Sequence, residues 1–196
     1  SDTDLVVEGY PRSSNTFTVD YLSILAGRAG RPMRFAHHTH DVRNVLLGCA
    51  LGVPTVVLIR APVDAVSSFM IYSGLDKRAA LARYVDFYAA VRDRKDQVLI
   101  APFDQLTGDF NGFVRRLNAR FALTLPLSAD PAADAEQAKE AERARGREIY
   151  KGDQYAARVA VPNDTRREMA RAVKDEVAAL LVERPRANNL YRFLTA

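Results

Sequence analysis

The sequence predicts an α/β protein in three layers, a parallel sheet flanked by helices on both sides. Three observations carry that prediction. The runs Leu5-Val6-Val7, Thr55-Val56-Val57-Leu58-Ile59 and Val98-Leu99-Ile100-Ala101 are short, apolar and largely β-branched, as strands buried on both faces are. The stretches between them place apolar residues three and four apart, the spacing of a helix face. Strand and helix alternate, and parallel strands require such crossovers. A length of 196 residues suits one domain with a core of useful size, so 1–196 is read as a single domain.

The first strand runs into Glu8-Gly9-Tyr10-Pro11-Arg12-Ser13-Ser14-Asn15-Thr16-Phe17, and a helical pattern follows at Phe17, Tyr21, Leu22 and Leu25. A strand, a tight polar loop and a helix aim backbone N–H groups and the positive end of a helix dipole at an anion. Gly9 permits unusual dihedrals, Pro11 stiffens the turn and Arg12 adds a permanent cation with a fork of donors. The loop reads as a phosphate-binding loop; the alternative is an ordinary turn with Ser13 or Asn15 as N-cap. The nucleoside-triphosphate pattern G-x-x-x-x-G-K-[ST] is absent, so the anion should be held by arginine and amides, without an obligatory magnesium ion.

After a turn at Gly27–Pro32, Met33-Arg34-Phe35-Ala36 predicts a short strand that ends in His37-His38-Thr39-His40, all three histidines within four positions. Asp41 predicts an N-cap for a helix through Leu51, and Gly52 stops it. The strand Thr55–Ile59 ends in Arg60, where ligands of open α/β sheets bind. Pro62 and Asp64 suit the first turn of the next helix, and Ser67 or Ser68 can face the same ligand. A helix over Lys77–Arg94 carries Leu81, Tyr84, Val85, Tyr88 and Val91 on one stripe, read as packing. Residues Asp104–Phe121 are read as mainly helical, with Phe110, Phe113, Val114 and Leu117 inward. From Pro126 the character changes. Ser128–Arg147 is Ala-rich and charged, with high helix propensity but little to build a core, so residues 126–160 are expected to include an exposed lid or cap. A final amphipathic helix is expected from Thr165 to about Glu183, with Met169, Val173, Val177, Leu180 and Leu181 inward.

Composition narrows the function. Hydrophobic content of 48% with 27% charged residues is that of a soluble globular chain. A net charge of +4 suits an anionic ligand but is too small and dispersed for nucleic acid. One cysteine, Cys49, excludes an internal disulfide and fits a reducing compartment. No stretch has the length of a membrane span and no signal-peptide pattern opens the sequence, so a cytoplasmic protein is expected. Oligomeric state is not readable.

Three segments in this order resemble the sulfotransferase family. Tyr10-Pro11-Arg12-Ser13-Ser14-Asn15-Thr16-Phe17 is similar to its 5′-phosphosulfate loop, Y-P-K/R-S-G-T/N-T-W. His38-Thr39-His40 is similar to its K-T-H, and Arg60-Ala61-Pro62-Val63-Asp64 through Ser68 to its R-N-P-x-D-x-x-x-S segment, with an Arg-to-Ser spacing of eight. Phe103-Asp104-Gln105-Leu106 resembles a weakened E-D-L, and Tyr150-Lys151-Gly152 resembles the late R-K-G. Ser14 stands where the family has Gly, Phe17 where it has Trp and Tyr150 where it has Arg. The resemblance implies a P-loop-like fold and 3′-phosphoadenosine 5′-phosphosulfate as donor, with no metal. It implies that Arg12, Ser13, Ser14, Asn15, Thr16 and Phe17 surround the 5′-phosphosulfate, that Arg60 and Ser68 hold the 3′-phosphate, and that Lys151 and Gly152 close over it.

The acceptor, a small molecule or carbohydrate with a hydroxyl or amine, must lose a proton as it attacks. His40 is the candidate base, since imidazole titrates near neutrality, and His38 is the alternative because residues 38 and 40 of an extended segment share a face. Glu8 could serve instead, although a structural role suits its strand end better. A metal site of His38, His40 and Asp41 is a weaker reading, because no further Cys or His completes the sphere. The other classes in play are a small-molecule or nucleotide kinase and a nucleotide-binding module without catalysis.

Overall fold

Each predicted strand forms, and together they make one parallel sheet in the order β2-β1-β3-β4. The computed structural model describes residues 2–150 and 164–196, apart from the side chains at 164–167 and 170. The strands are β1 (Leu5–Gly9), β2 (Phe35–His37), β3 (Thr55–Ile59) and β4 (Leu99–Pro102). The helices are α1 (Asn15–Arg28), α2 (Val42–Ala50), α3 (Pro62–Ser73), α4 (Lys77–Arg92), α5 (Phe103–Gly108), α6 (Phe110–Phe121), α7 (Pro131–Ile149), α8 (Asp164–Glu183) and α9 (Arg186–Thr195). None of the described helices is long and apolar enough to cross a membrane.

The sheet separates two apolar clusters, and strand alternation decides which residue joins which. Val57 and Ile59 face one cluster, closed by Val66 and Phe69 of α3, Tyr84 and Tyr88 of α4, Leu180 of α8 and Leu190 of α9. Val56 and Leu58, with Leu5, Val7 and Ala101, face the other, closed by Leu22 and Leu25 of α1 and by Phe113 and Leu117 of α6. All residues of β1 and β3 are buried, which is why both read as continuous apolar runs. Gly9 is required where these strands meet, since a Cβ there would lie 2.5 Å from the Leu58 carbonyl oxygen.

Strand order positions the site. The chain leaves β1 for β2 on one side and returns to β3 on the other, so β1 and β3 are neighbours whose exits lead to helices on opposite faces. The crevice beyond their carboxyl ends is the topological switch point where open α/β sheets take ligands.

The structure departs from expectation in five places. The second strand is Phe35–His37 rather than 33–36, so His37 pairs opposite Val7. The stretch 104–121 is two helices, because Asp109 leaves helical geometry and its carboxylate caps α6 at Gly112 N, 2.7 Å. The polar helix α7 is docked along α1 rather than left exposed: Asp134, Ala138, Glu142 and Gly146 form a buried stripe. In α8, Val177, Leu180 and Leu181 are buried as expected, but Met169 is exposed. The closing helix α9 is one that the sequence left unassigned; its Asn188 and Asn189 weaken the helical pattern that Ala187, Leu190 and Leu194 satisfy by burial.

Candidate active site

A cleft of about 1130 Å³ opens at the switch point. Arg12 of the first loop, Arg60 at the end of β3, Ser68 of α3, His38 and His40 after β2, and Ser14, Asn15, Thr16 and Phe17 of α1 and its approach all line it. The two arginines on which an anion site depends therefore share one cavity.

Backbone strain shapes the first loop. Arg12 and Ser14 have φ of 70° and 79°, a region that side chains rarely adopt. Ser14 thus takes up the left-handed geometry that favours glycine. It is the residue before α1 and offers no side-chain cap, so the first amides of α1 open into the cleft without a capping group. Asn15 is buried and ties its Nδ2 to the Tyr10 carbonyl at 3.3 Å. Phe17 lines the cleft while its ring meets Tyr21 and Phe110 edge-on at 5.8 and 6.0 Å. Ser13 differs from its neighbours, as its side chain is fully buried beneath the loop.

The two expected anion positions are contiguous. Arg12 Nε donates to Ser68 Oγ at 3.3 Å, and Arg60 Nη1 donates to the Arg12 carbonyl at 3.3 Å. Ser68 rather than Ser67 lines the cleft, because Ser67 is buried and donates to the Val63 carbonyl at 2.6 Å. The Arg60 guanidinium lies 4.2 Å from the centre of the Phe103 ring. Burial pulls its pKa below the usual value, opposed by the charges of Asp64 and Asp104, yet an arginine stays protonated. Asp64 takes Lys174 as its ion-pair partner, Nζ to Oδ1 2.5 Å. Lys139, Arg145, Arg171 and Lys174 add to the positive lining, against the carboxylates of Asp20, Asp64 and Glu142.

The histidines sit where register puts them. His37 is level with Val7, so the next three residues run beside Glu8 and Gly9. Glu8, fully buried, accepts from Thr39 N at 2.9 Å, Thr39 Oγ1 at 2.7 Å, His40 N at 3.1 Å and Asn44 Nδ2 at 2.9 Å. Its carboxylate is a clamp for the turn, the structural role expected of it. His40 Nδ1 is 2.9 Å from the Gly9 carbonyl oxygen. A carbonyl only accepts, so Nδ1 carries the proton and Nε2 is the acceptor of the neutral ring. His38 differs: Nε2 is 2.7 Å from Thr16 Oγ1 and Nδ1 is 2.5 Å from His37 Nδ1. Residues 38 and 40 both line the cleft, but from left-handed turns with φ of 64° and 50°, not from an extended segment. His38, His40 and Asp41 do not converge as ligands, because the Asp41 carboxylate caps α2 at Arg43 N and pairs with the Arg43 guanidinium.

Several contributors were not singled out from sequence. Tyr84 Oη donates to the Arg60 carbonyl at 2.8 Å and Tyr88 Oη to the Leu58 carbonyl at 2.7 Å, so two tyrosines of α4 hold the end of β3. The signal was Tyr rather than Phe on a buried stripe, since a buried hydroxyl needs a partner. Tyr72 lies under Arg12, 5.4 Å from Cζ to ring centre. Asp20 of α1 pairs with Arg145 of α7 beside the histidines; burial raises the Asp20 pKa, and Arg145 partly offsets it. Lys151 and Gly152 lie outside the described residues.

No protein-family model matches the chain, and no curated protein matches it significantly by sequence. Among solved structures, the mouse sulfotransferase SULT7A1 complexed with PAP superimposes with a TM-score of 0.51 at 12% identity, over 98% of this chain and 88% of that one. At that identity the likeness is one of architecture, and the fold of this chain is sulfotransferase-like.

Proposed function

We propose that this protein is a sulfotransferase that moves a sulfuryl group from 3′-phosphoadenosine 5′-phosphosulfate to a hydroxyl or amine of a small-molecule or carbohydrate acceptor. One observation carries the reading: Arg12 and Arg60, from adjacent strand ends, open into the same cleft as a histidine whose proton is fixed on Nδ1. The PAP bound by the mouse neighbour is consistent with such a donor.

The chemistry asks for positioning and charge stabilisation more than covalent help. His40 Nε2 takes the acceptor proton as the new S–O or S–N bond forms. The S–O bond to the 5′-phosphate breaks, and negative charge gathers on that phosphate. Arg12 and the amides of Ser13 to Thr16 face this charge at the start of α1, where fixed donors stabilise it without reorganisation. Thr16 and Asn15 belong to that first turn. Arg60 and Ser68 hold the 3′-phosphate, which aligns the donor. Lys151 and Gly152 are assigned to the same phosphate by the sequence pattern alone.

The test follows labelled sulfate from the donor into alcohols, phenols, amines and sugars. His40→Ala is expected to abolish turnover and to leave adenosine 3′,5′-bisphosphate binding nearly intact. An unchanged rate would place the base elsewhere. Failure of every acceptor with the wild-type chain, despite tight bisphosphate binding, would favour a binding module.

A further inference from the structure

Thr16 stands in the first turn of α1 with its hydroxyl on His38 Nε2, and His38 Nδ1 faces His37 Nδ1. One imidazole is thus threaded between a hydroxyl and a second imidazole, with both nitrogens engaged. A neutral imidazole has one donor and one acceptor nitrogen, so the chain has two polarities. In the first, Thr16 O–H donates to His38 Nε2 and His38 Nδ1–H donates to His37 Nδ1. The hydroxyl proton is then spent inside the protein. In the second, His37 Nδ1–H donates to His38 Nδ1, and His38 Nε2–H donates to Thr16 Oγ1. Thr16 O–H is then released toward an acceptor in the cleft.

We infer that His38 is a positioning residue for the donor nucleotide: it acts through Thr16, holding the chain in the second polarity so that the Thr16 hydroxyl donates to the phosphate at the start of α1. This rests on the donor reading above. Three observations support it. Thr16 and His38 both line the cleft, so their contact faces the ligand. Helix α1 has no side-chain cap, so an oxyanion at its first turn meets amides and the Thr16 hydroxyl together. Desolvation in the cleft, with His37, His40 and Arg145 close by, pulls the His38 pKa down to about 4, which keeps the ring neutral and able to donate on one side while accepting on the other.

The contrast with His40 separates the two histidines. The partner of His40 Nδ1 is a carbonyl, which never donates, so that ring has one tautomer and serves as a base. Both partners of His38 can donate or accept, so its tautomer follows what the cleft contains.

Calorimetric affinity for adenosine 3′,5′-bisphosphate tests this in the wild-type chain and in His38→Ala, His38→Gln, Thr16→Val and the double variant His38→Ala/Thr16→Val. Thr16→Val should weaken binding about tenfold, the scale of one hydrogen bond to a charged group. His38→Ala should weaken it too, and the double variant should bind no more weakly than Thr16→Val alone. His38→Gln, whose amide nitrogen reaches the position of Nε2, should restore affinity to within about twofold of wild type. Where His38→Ala does not fold, His38→Asn replaces it, since the shorter amide reaches only the Nδ1 position. A His38→Gln variant as weak as His38→Ala, or losses that add in the double variant, overturns the assignment while leaving the donor reading intact. A wild-type chain that does not bind the bisphosphate overturns both.

Discussion

Ser14 holds φ at 79°, where its Cβ crowds the backbone, yet the residue is solvent-accessible enough to line the cleft. Ser14→Gly should therefore stabilise the protein by about 1 kcal/mol in urea denaturation, net of the flexibility that glycine adds to the unfolded chain. A loss of stability would mean that the Ser14 side chain holds the loop. The His38 ring gives a pH dependence. Its pKa falls from 6.5 to about 4 on folding, chiefly through burial. The unfolded chain binds its proton first, so the stability linked to this group is complete above pH 6.5 and is lost as pH falls toward 4. His37, also lowered by burial, acts in the same direction. Melting temperatures across that range should decline less steeply in His38→Gln than in wild type; equal slopes would contradict a ring held neutral in the cleft. That Arg12 and Arg60 lie just beyond strand ends, with Ser68 on the helix after Arg60, was legible in the sequence from the apolar runs that precede them. The roles of Tyr84 and Tyr88 were not, since their hydroxyl partners lie 24 and 30 positions away.

At the level of elements, α7 shows what composition conceals. Its few apolar residues suggested an exposed, lid-like helix, but a helix can dock through small and paired polar groups. Asp134 is buried and accepts from Arg28 Nη1 of α1 at 2.7 Å and from Ser128 Oγ at 2.5 Å. Burial opposes its charge, and the arginine and the hydroxyl still hold its pKa below the usual carboxylate range. Arg28→Ala strands that carboxylate and should lower stability by about 2 kcal/mol. Hydrogen exchange should accelerate along α7 in this variant more than in β1 or β3; a uniform change would mean that the pair does not anchor the helix. Because Lys139, Glu142 and Arg145 of α7 line the cleft, the same latch sets the wall opposite the arginines. The later start and end of β2 have a similar lesson. Its edge position and partial burial leave only three residues to mark it, and the extension into His37 sets the register of the whole histidine turn.

At the scale of the molecule, alternation of buried strands with helices was sufficient to read the three layers, because strands covered on both faces leave uninterrupted apolar runs. The position of the cleft follows from strand order, which sequence alone left open: only the adjacency of β1 and β3 brings Arg12 and Arg60 together. On the proposed reading, these two arginines grip a single small donor with two anionic ends. Calorimetric titration with adenosine 3′,5′-bisphosphate measures it most directly. One molecule should bind per chain, weakened about tenfold or more by Arg12→Ala and by Arg60→Ala separately, with little affinity for magnesium-ATP. Bisphosphate binding indifferent to both arginines, or magnesium-ATP bound in its place, would contradict it.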